Sequence, residues 1–422
     1  MEVVIKKAQG VDFSITAPPS KSYTHRALIA AALAEGNSRI INPLESEDIS
    51  VTRDALRNMG IPVTSGGEAV FISGSGGTLR CPPAITLDMK NSGTSLRLLA
   101  AVALLCKDRV VLTGSQRMLE RPVGPLVDAL NNLGGSIRYL RKERYPPIEV
   151  QGVYRGGRTV VDGSISSQFI SSLLLSGPCA EKDVEIILAG RSASLSYLDI
   201  TVDVMKAFGA DISRHGYTRF RVKSEKLYRG GEYAIEGDYS SSSYFFAIAA
   251  VCGGKVRVSN LNPDSCQGDR AFLSALEMMG CRISAAADGI VVEAHDPLEG
   301  IEIDMSASPD TVQTLCMVAA FARSKTRITG ISHLRYKESD RIQSTADILT
   351  RMGAEVTVGE DSIIIHPSSI RGGTIDPGDD HRTAMSAAVL GLGAGNIKIL
   401  NAGCVSKSYP GFWDSLRRAE LI

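Results

Sequence analysis

The sequence predicts an α/β fold made of six copies of one unit about 70 residues long, divided three and three between two domains. The first observation behind this is a glycine that recurs after a helix-like stretch, at Gly60, Gly134, Gly209, Gly280 and Gly353, with intervals of 74, 75, 71 and 73 residues. Each suits the left-handed position just past a helix C-terminus. The second is a series of polar segments leading into apolar, alanine-rich runs near Thr24, Thr94, Ser167, Ser241, Thr311 and His381, at intervals of 70, 73, 74, 70 and 70. The third is that runs such as 98–105, 244–251 and 384–392 carry little polar surface on any face. Such helices belong inside, with the sheets wrapped around them. Six units are too many for one core, so a split into three and three is expected.

In chain order, Met1-Glu2-Val3-Val4-Ile5 opens directly in a strand-like pattern, without the basic and apolar segments of a secretory leader. Ahead of most apolar helices stands a glycine-containing turn and an alternating strand, as at 156–162, 230–236 and 372–376. After the apolar helix a loop is expected, then a second helix that ends on the recurrent glycine, then a hairpin that begins with a stretch such as 354–358. Six such copies account for the whole chain. The Gly-Gly turn near Gly230, after the third unit, is the expected domain boundary. Gly74-Ser75-Gly76-Gly77 lacks the Gly-Lys-Ser/Thr ending of a nucleotide phosphate loop and reads as a hairpin turn.

The composition excludes several classes of function. Among 422 residues, 46 Lys and Arg balance 46 Asp and Glu, and 44% are hydrophobic. A neutral chain of this kind is neither disordered nor built to coat nucleic acid or an anionic membrane, partners that demand a basic excess. The longest apolar candidate, 98–106, is far short of the roughly 20 residues a bilayer requires. The eight cysteines, at 81, 106, 179, 252, 266, 281, 316 and 404, include no Cys-x-x-Cys pair and mostly sit in apolar runs. They are expected as buried thiols of a reducing compartment, so the cytoplasm is the expected location. Neither histidine spacing nor any nucleotide fingerprint points to a metal or a cofactor, and none is expected.

Chemistry is suggested by what precedes the six buried helices: Ser20-Lys21-Ser22, Asn91-Ser92-Gly93-Thr94, Ser166-Ser167-Gln168, Ser240-Ser241-Ser242-Ser243, Ser308-Pro309-Asp310 and Asp379-Asp380-His381-Arg382. Taken singly these are helix caps. A repeat, however, aims equivalent helix ends in similar directions, and a helix N-terminus favours anions. Cations cluster at these ends or before the second helices: Lys21, Arg26, Arg97, Arg121, Lys337, Arg341, Arg382 and Lys407. Uncompensated on both domains, they should hold an empty cleft open and draw it shut on anionic ligands.

Read together, Pro19-Ser20-Lys21-Ser22 with Arg26, Asn91-Ser92-Gly93-Thr94 with Arg97, Arg121-Pro122, Asp162-Gly163-Ser164 through Gln168, Gly237-Asp238 through Tyr244-Phe245, Lys337-Glu338-Ser339-Asp340-Arg341, Asp380-His381-Arg382 and Ser406-Lys407 resemble the signature segments of the 5-enolpyruvylshikimate-3-phosphate synthase family. They occur in the family order from end to end of the chain. The resemblance implies transfer of the enolpyruvyl group of phosphoenolpyruvate to the 5-hydroxyl of shikimate 3-phosphate, with release of phosphate, on the route to chorismate and the aromatic amino acids. It implies two domains of three βαβαββ units with buried parallel helices, an inside-out α/β barrel. Domain I is then expected at 1–17 and 236–422, domain II at 18–235, and the active-site cleft between them.

The resemblance also implies that Lys21, Ser22, Arg26, Ser166, Ser167, Gln168, Ser194, Tyr197, Asp310 and Lys337 hold shikimate 3-phosphate. Lys21, Gly93, Arg121, Gln168, Arg341, Arg382 and Lys407 are expected to hold phosphoenolpyruvate. Asp310 is the expected base for the 5-hydroxyl proton, and Glu338 with Lys21 the proton source for the methylene carbon of phosphoenolpyruvate. The cations fit this reading, since two phosphates and two carboxylates bring roughly −5 to −6 into one cleft. The expected partners are these small anions alone, with no nucleic acid, no membrane and a monomeric chain. Two positions depart from the family pattern: His333 stands where many members have Asn against the shikimate phosphate, and Leu98 where many have Pro. Neither is assigned a role.

The nearest alternative is the enolpyruvyl transferase acting on UDP-N-acetylglucosamine, whose lysine is followed by Asn and whose mobile loop carries Cys. Here Ser22 follows Lys21, and 115–120 contain no Cys. A non-catalytic repeat clamp around a polymer would need the missing basic excess, and it leaves Asp310 and Glu338 without a purpose.

Overall fold

The computed structural model describes residues 1–190 and 193–422. The chain divides into two compact units, one of Pro19–Ile235 and one of Met1–Pro18 together with Glu236–Ile422.

Among the described residues, the continuous unit holds three four-stranded sheets and helices α1 (Lys21–Leu33), α2 (Glu47–Asn58), α3 (Gly93–Ala103), α4 (Gly124–Asn132), α5 (Gln168–Ser176) and α6 (Ser196–Ala207). Ile85–Asp88 and Val110–Thr113 pair in parallel on either side of α3, and Gly157–Asp162 and Val184–Ala189 do so around α5. The even-numbered helix then leads to an antiparallel hairpin, as in Gly135–Tyr139 with Ile148–Gly152. The unit is βαβαββ. The segment between the two helices, expected as a loop, is thus a strand: parallel pairing requires a crossover, and the apolar helix provides one. The first sheet takes its parallel edge from the far end of the unit, Glu232 of Glu232–Ala234 lying opposite Arg39 of Asn37–Ile41.

Helices α1, α3 and α5 form the core of this unit. Residues 23–33 of α1 are all buried; in α3 only Thr94 and in α5 only Gln168 escape full burial. Both exceptions stand in the first turn. Ser172 of α5 ties the two central helices together, its Oγ donating to Leu98 O of α3 at 3.2 Å.

The discontinuous unit repeats the plan with α7 (Tyr239–Cys252), α8 (Ala271–Met278), α9 (Val312–Ala319), α10 (Arg341–Arg351), α11 (His381–Ala394) and α12 (Phe412–Arg418). Its central helices α7, α9 and α11 pack on one another. Val11–Thr16 pairs in parallel with Gly254–Ser259, Val11 opposite Gly254. The sixth copy departs from the expected unit. Its sheet has three strands and no hairpin after α12; instead Val3–Ile5 pairs antiparallel with Ile397–Ile399, which is itself parallel to Gly373–Ile375.

The recurrent glycines do close the second helices. Gly60, Gly134, Gly209, Gly280 and Gly353 have φ of 86°, 107°, 85°, 104° and 97°. Two other readings require correction. Gly74–Gly77 is no hairpin turn: the amides of Ser75, Gly76 and Gly77 donate to Ala32, Ala34 and Leu33 carbonyls at 2.9, 2.9 and 3.1 Å. A buried helix end leaves carbonyls without partners, and this loop supplies the donors. A Cβ at Gly74 would stand 2.2 Å from Ala34 O. The cysteines are not uniformly buried thiols. Cys81 and Cys106 form a disulfide with Cα atoms 5.6 Å apart, Cys266 is exposed, and Cys179 and Cys404 are half-buried. The chain turns back past the C-terminal end of α3 on its way from the first sheet to the second, which brings Cys81 to Cys106.

Candidate active site

In the continuous unit, the N-terminal turns of the three buried helices carry the polar groups. Ser20 caps α1, and Lys21 Nζ lies 3.1 Å from Asp48 Oδ2 in the first turn of α2. One turn further on, Arg26 is 1% exposed. Its Nε donates to Thr201 Oγ1 at 2.8 Å and its Nη1 to Ser22 O at 2.9 Å, while Nη2 reaches Tyr197 O at 3.3 Å and Ser171 Oγ at 3.4 Å. All four partners are neutral oxygens, and burial lowers the pKa of this guanidinium to about 10, so it stays charged at neutral pH. Tyr197 opens α6 and is tied by its amide to the carbonyl of Ser194, a buried residue with φ of 58°.

Arg97 joins α3 to α5. Its Nη1 donates to Gln168 Oε1 at 3.0 Å and to Ser166 Oγ at 3.3 Å, and its guanidinium lies 5.2 Å from the centre of the Phe169 ring. Gln168 Nε2 in turn donates to Thr94 Oγ1 at 2.9 Å. Arg121 packs flat against Gly93: a Cβ there would come within 2.6 Å of its Cζ. A side chain at position 93 would displace that guanidinium. Ser167 completes the first turn of α5 and is buried.

In the discontinuous unit, Asp310 occupies the 3-10 turn Pro309–Thr311 ahead of α9. Its two oxygens accept separately, from Arg341 Nη1 at 3.1 Å and from Arg382 Nη2 at 2.6 Å. Arg341, the first residue of α10, also donates through Nε to Asp380 Oδ2 and through Nη2 to Glu338 Oε2, each at 2.9 Å. Burial opposes the Arg341 charge, but Asp380, Glu338 and Asp310 outweigh it and hold its pKa above the ordinary value. For Asp380 burial again opposes the charge, and Arg341 foremost holds the carboxyl below its usual range. Asp380 also caps α11 by accepting from Arg382 N at 3.1 Å. Tyr244 Oη receives Arg382 Nη1 at 3.4 Å, and its pKa is pushed up to about 12, chiefly by burial. His333 is held down to about 3 by burial and then by Lys337, so its ring is neutral at pH 7. Lys337 follows the turn Ser332–Tyr336, half-buried, and Lys407 ends the turn Ala402–Lys407, buried.

The expected residues therefore fall into two groups. Lys21, Ser22, Arg26, Gly93, Arg121, Ser166, Ser167, Gln168, Ser194 and Tyr197 belong to the continuous unit; Asp310, Lys337, Glu338, Arg341, Arg382 and Lys407 belong to the other. The expectation of uncompensated cations is not met at three positions: Lys21 has Asp48, Arg382 has Asp310, and Arg341 has three carboxylates, whereas the Arg26 partners are neutral oxygens. At Arg341 and Arg382, both buried, these counter-charges offset the cost of removing the guanidinium from water. Arg97, one of the clustered cations but assigned to neither substrate, lies one helical turn beyond Gly93, and Asp48 is a partner that nothing near Lys21 in sequence announces. Asp380 was read only as a cap and is also a partner of Arg341.

The chain matches the family model for EPSP synthase (3-phosphoshikimate 1-carboxyvinyltransferase) over residues 5–416. It is 56% identical to the 3-phosphoshikimate 1-carboxyvinyltransferase of Methanoculleus marisnigri over 422 residues, with both chains fully covered. It is 54% identical to that of Methanoregula boonei over 418 residues, 99% of each. Among solved structures, EPSP synthase from Acinetobacter baumannii superposes with a TM-score of 0.81 at 29% identity, covering 100% of this chain and 98% of that one. The paired arginines around Asp310 and the anion-favouring helix ends around Gly93 are thus found in a chain that, along nearly its whole length, belongs to the EPSP synthase family.

Proposed function

We propose that the two groups of residues serve one pair of substrates. The reaction is that of the family: the enolpyruvyl group of phosphoenolpyruvate passes to the 5-hydroxyl of shikimate 3-phosphate and phosphate is released. The observation that carries the residue assignment is Asp310, a carboxylate divided between Arg341 and Arg382. It brings a proton acceptor and two forked anion ligands to one point.

In this reading Lys21, Ser22, Arg26, Ser166, Ser167, Gln168, Ser194, Tyr197, Asp310 and Lys337 bind shikimate 3-phosphate. Lys21, Gly93, Arg121, Gln168, Arg341, Arg382 and Lys407 bind phosphoenolpyruvate. The phosphate and carboxylate of phosphoenolpyruvate compete with Asp310 for Arg341 and Arg382, so substrate binding frees the carboxylate it needs as a base. Asp310 takes the 5-hydroxyl proton as that oxygen bonds to C2 of phosphoenolpyruvate, and Glu338, assisted by Lys21, protonates C3. The tetrahedral adduct then collapses: C3 returns its proton to Glu338, the C2–O bond to phosphate breaks, and phosphate departs with the proton held by Asp310. Arg97 and Asp48 touch no reacting atom here; they fix Gln168 and Lys21.

Phosphate release from phosphoenolpyruvate, measured with shikimate 3-phosphate or with UDP-N-acetylglucosamine as acceptor, tests the specificity. Release is expected with the first acceptor only, and release confined to the second overturns the reading. Asp310→Ala and Glu338→Ala are each expected to lower turnover by about 100-fold or more. Near-normal turnover in either variant removes that residue from the chemistry.

A further inference from the structure

Asp269 is a buried carboxylate that the proton transfers above do not use. It lies in the turn Gly268–Arg270 leading into α8 and is 4% exposed. Two hydroxyls donate to it, that of Ser240 in the first turn of α7 and that of Ser308, the latter at 2.9 Å. Ser308 stands two residues before Asp310. Its hydroxyl is also 2.9 Å from Thr311 Oγ1, which donates back to Ser308 O at 3.1 Å. One buried carboxylate thus anchors the short turn that presents Asp310. Asp269 faces the charge of Asp310 from that turn and the charge of Arg382 from α11, besides the Ser240 hydroxyl from α7.

We propose that Asp269 is a positioning residue for the reaction: by anchoring Ser308 it holds the Asp310 carboxylate at the point where it can take the substrate proton. The proposal rests on Asp310 being the base. An ionised carboxylate accepts from both serines, whereas a protonated one must donate through one oxygen and so reverses or loses one contact. Burial, and then the neighbouring charge of Asp310, raise Asp269 to about 6, against the pull of Ser240, Arg382 and Ser308. The anchor therefore loosens in weakly acid solution.

The test is the pH profile of kcat and of both KM values for the full chain, its Asp269→Asn, Ser308→Ala and Asp310→Ala variants, and the Asp269→Asn/Ser308→Ala double variant. Asp269→Asn, which mimics the protonated group, is expected to lower kcat about tenfold to 100-fold at neutral pH. It should leave both KM values within about threefold, and abolish the inflection near pH 6. Ser308→Ala should lower kcat by a similar factor, and the double variant should be no slower than the slower single one. An Asp269→Asn enzyme that keeps the wild-type kcat or the wild-type inflection overturns the proposal, as do losses that multiply in the double variant. Should Asp269→Asn fail to fold, wild-type kcat in Ser308→Ala overturns it alone. Asp310→Ala separates the two claims: near-normal turnover there removes Asp310 as the base, whereas an inactive Asp310→Ala beside a normal Asp269→Asn removes only the anchor.

Discussion

Arg341 is 2% exposed on its side chain and touches Asp310, Glu338 and Asp380, of which Asp310 is shared with Arg382. Arg341→Met is expected to destabilise the chain by about 3–5 kcal/mol, read from urea unfolding, because Asp380 is left buried without its counter-charge. Asp269 and Asp380 have opposite pH signatures. Asp269 is raised from 3.8 to about 6, so the stability it contributes is full below pH 3.8 and is lost as pH rises through 6. Asp380 is held below 3.8, so its contribution is present above that value and is lost as pH falls through its folded pKa. Replacing Asp269 by Asn should therefore flatten the stability profile between pH 3.8 and 6, a change that unfolding midpoints across that interval would reveal. At this scale the sequence showed residue types and left partners hidden. Lys21 and Asp48 lie 27 residues apart, and Asp269 and Ser308 lie 39 apart, distances that only folding closes.

The five C-terminal glycines were legible because a left-handed φ selects one residue type wherever it occurs. They do not all carry the same cost. At Gly280 a Cβ meets nothing within 4 Å, so Gly280→Ala should cost about 1–2 kcal/mol from backbone conformation alone. At Gly60 the same atom would lie 2.5 Å from Arg80 O, and Gly60→Ala should cost more. Urea midpoints of the two variants test that order. The strands between the paired helices were not legible, since segments such as Val110–Thr113 have four residues and expose little periodicity. The cysteine pair escaped notice for a similar reason: a separation of 25 residues carries no pairing signal. Thiol titration of the denatured, unreduced chain should find six groups and, after reduction, eight. Reduction should lower stability by about 3 kcal/mol.

The 70-residue period was visible because each unit must bury one apolar helix, and that need repeats with the unit. What it could not show is which strands change places, because the sheet edges come from segments far apart in sequence. A further consequence follows from the placement of Val3–Ile5 and Val11–Thr16 in the discontinuous unit. During synthesis these strands leave the ribosome well before their partners at 254–259 and 397–399, which follow on the order of tens of seconds later, at about 5–20 residues per second. For that interval both strands are without the partners they have in the folded chain. The three sheets of the continuous unit, by contrast, pair wholly within 19–235.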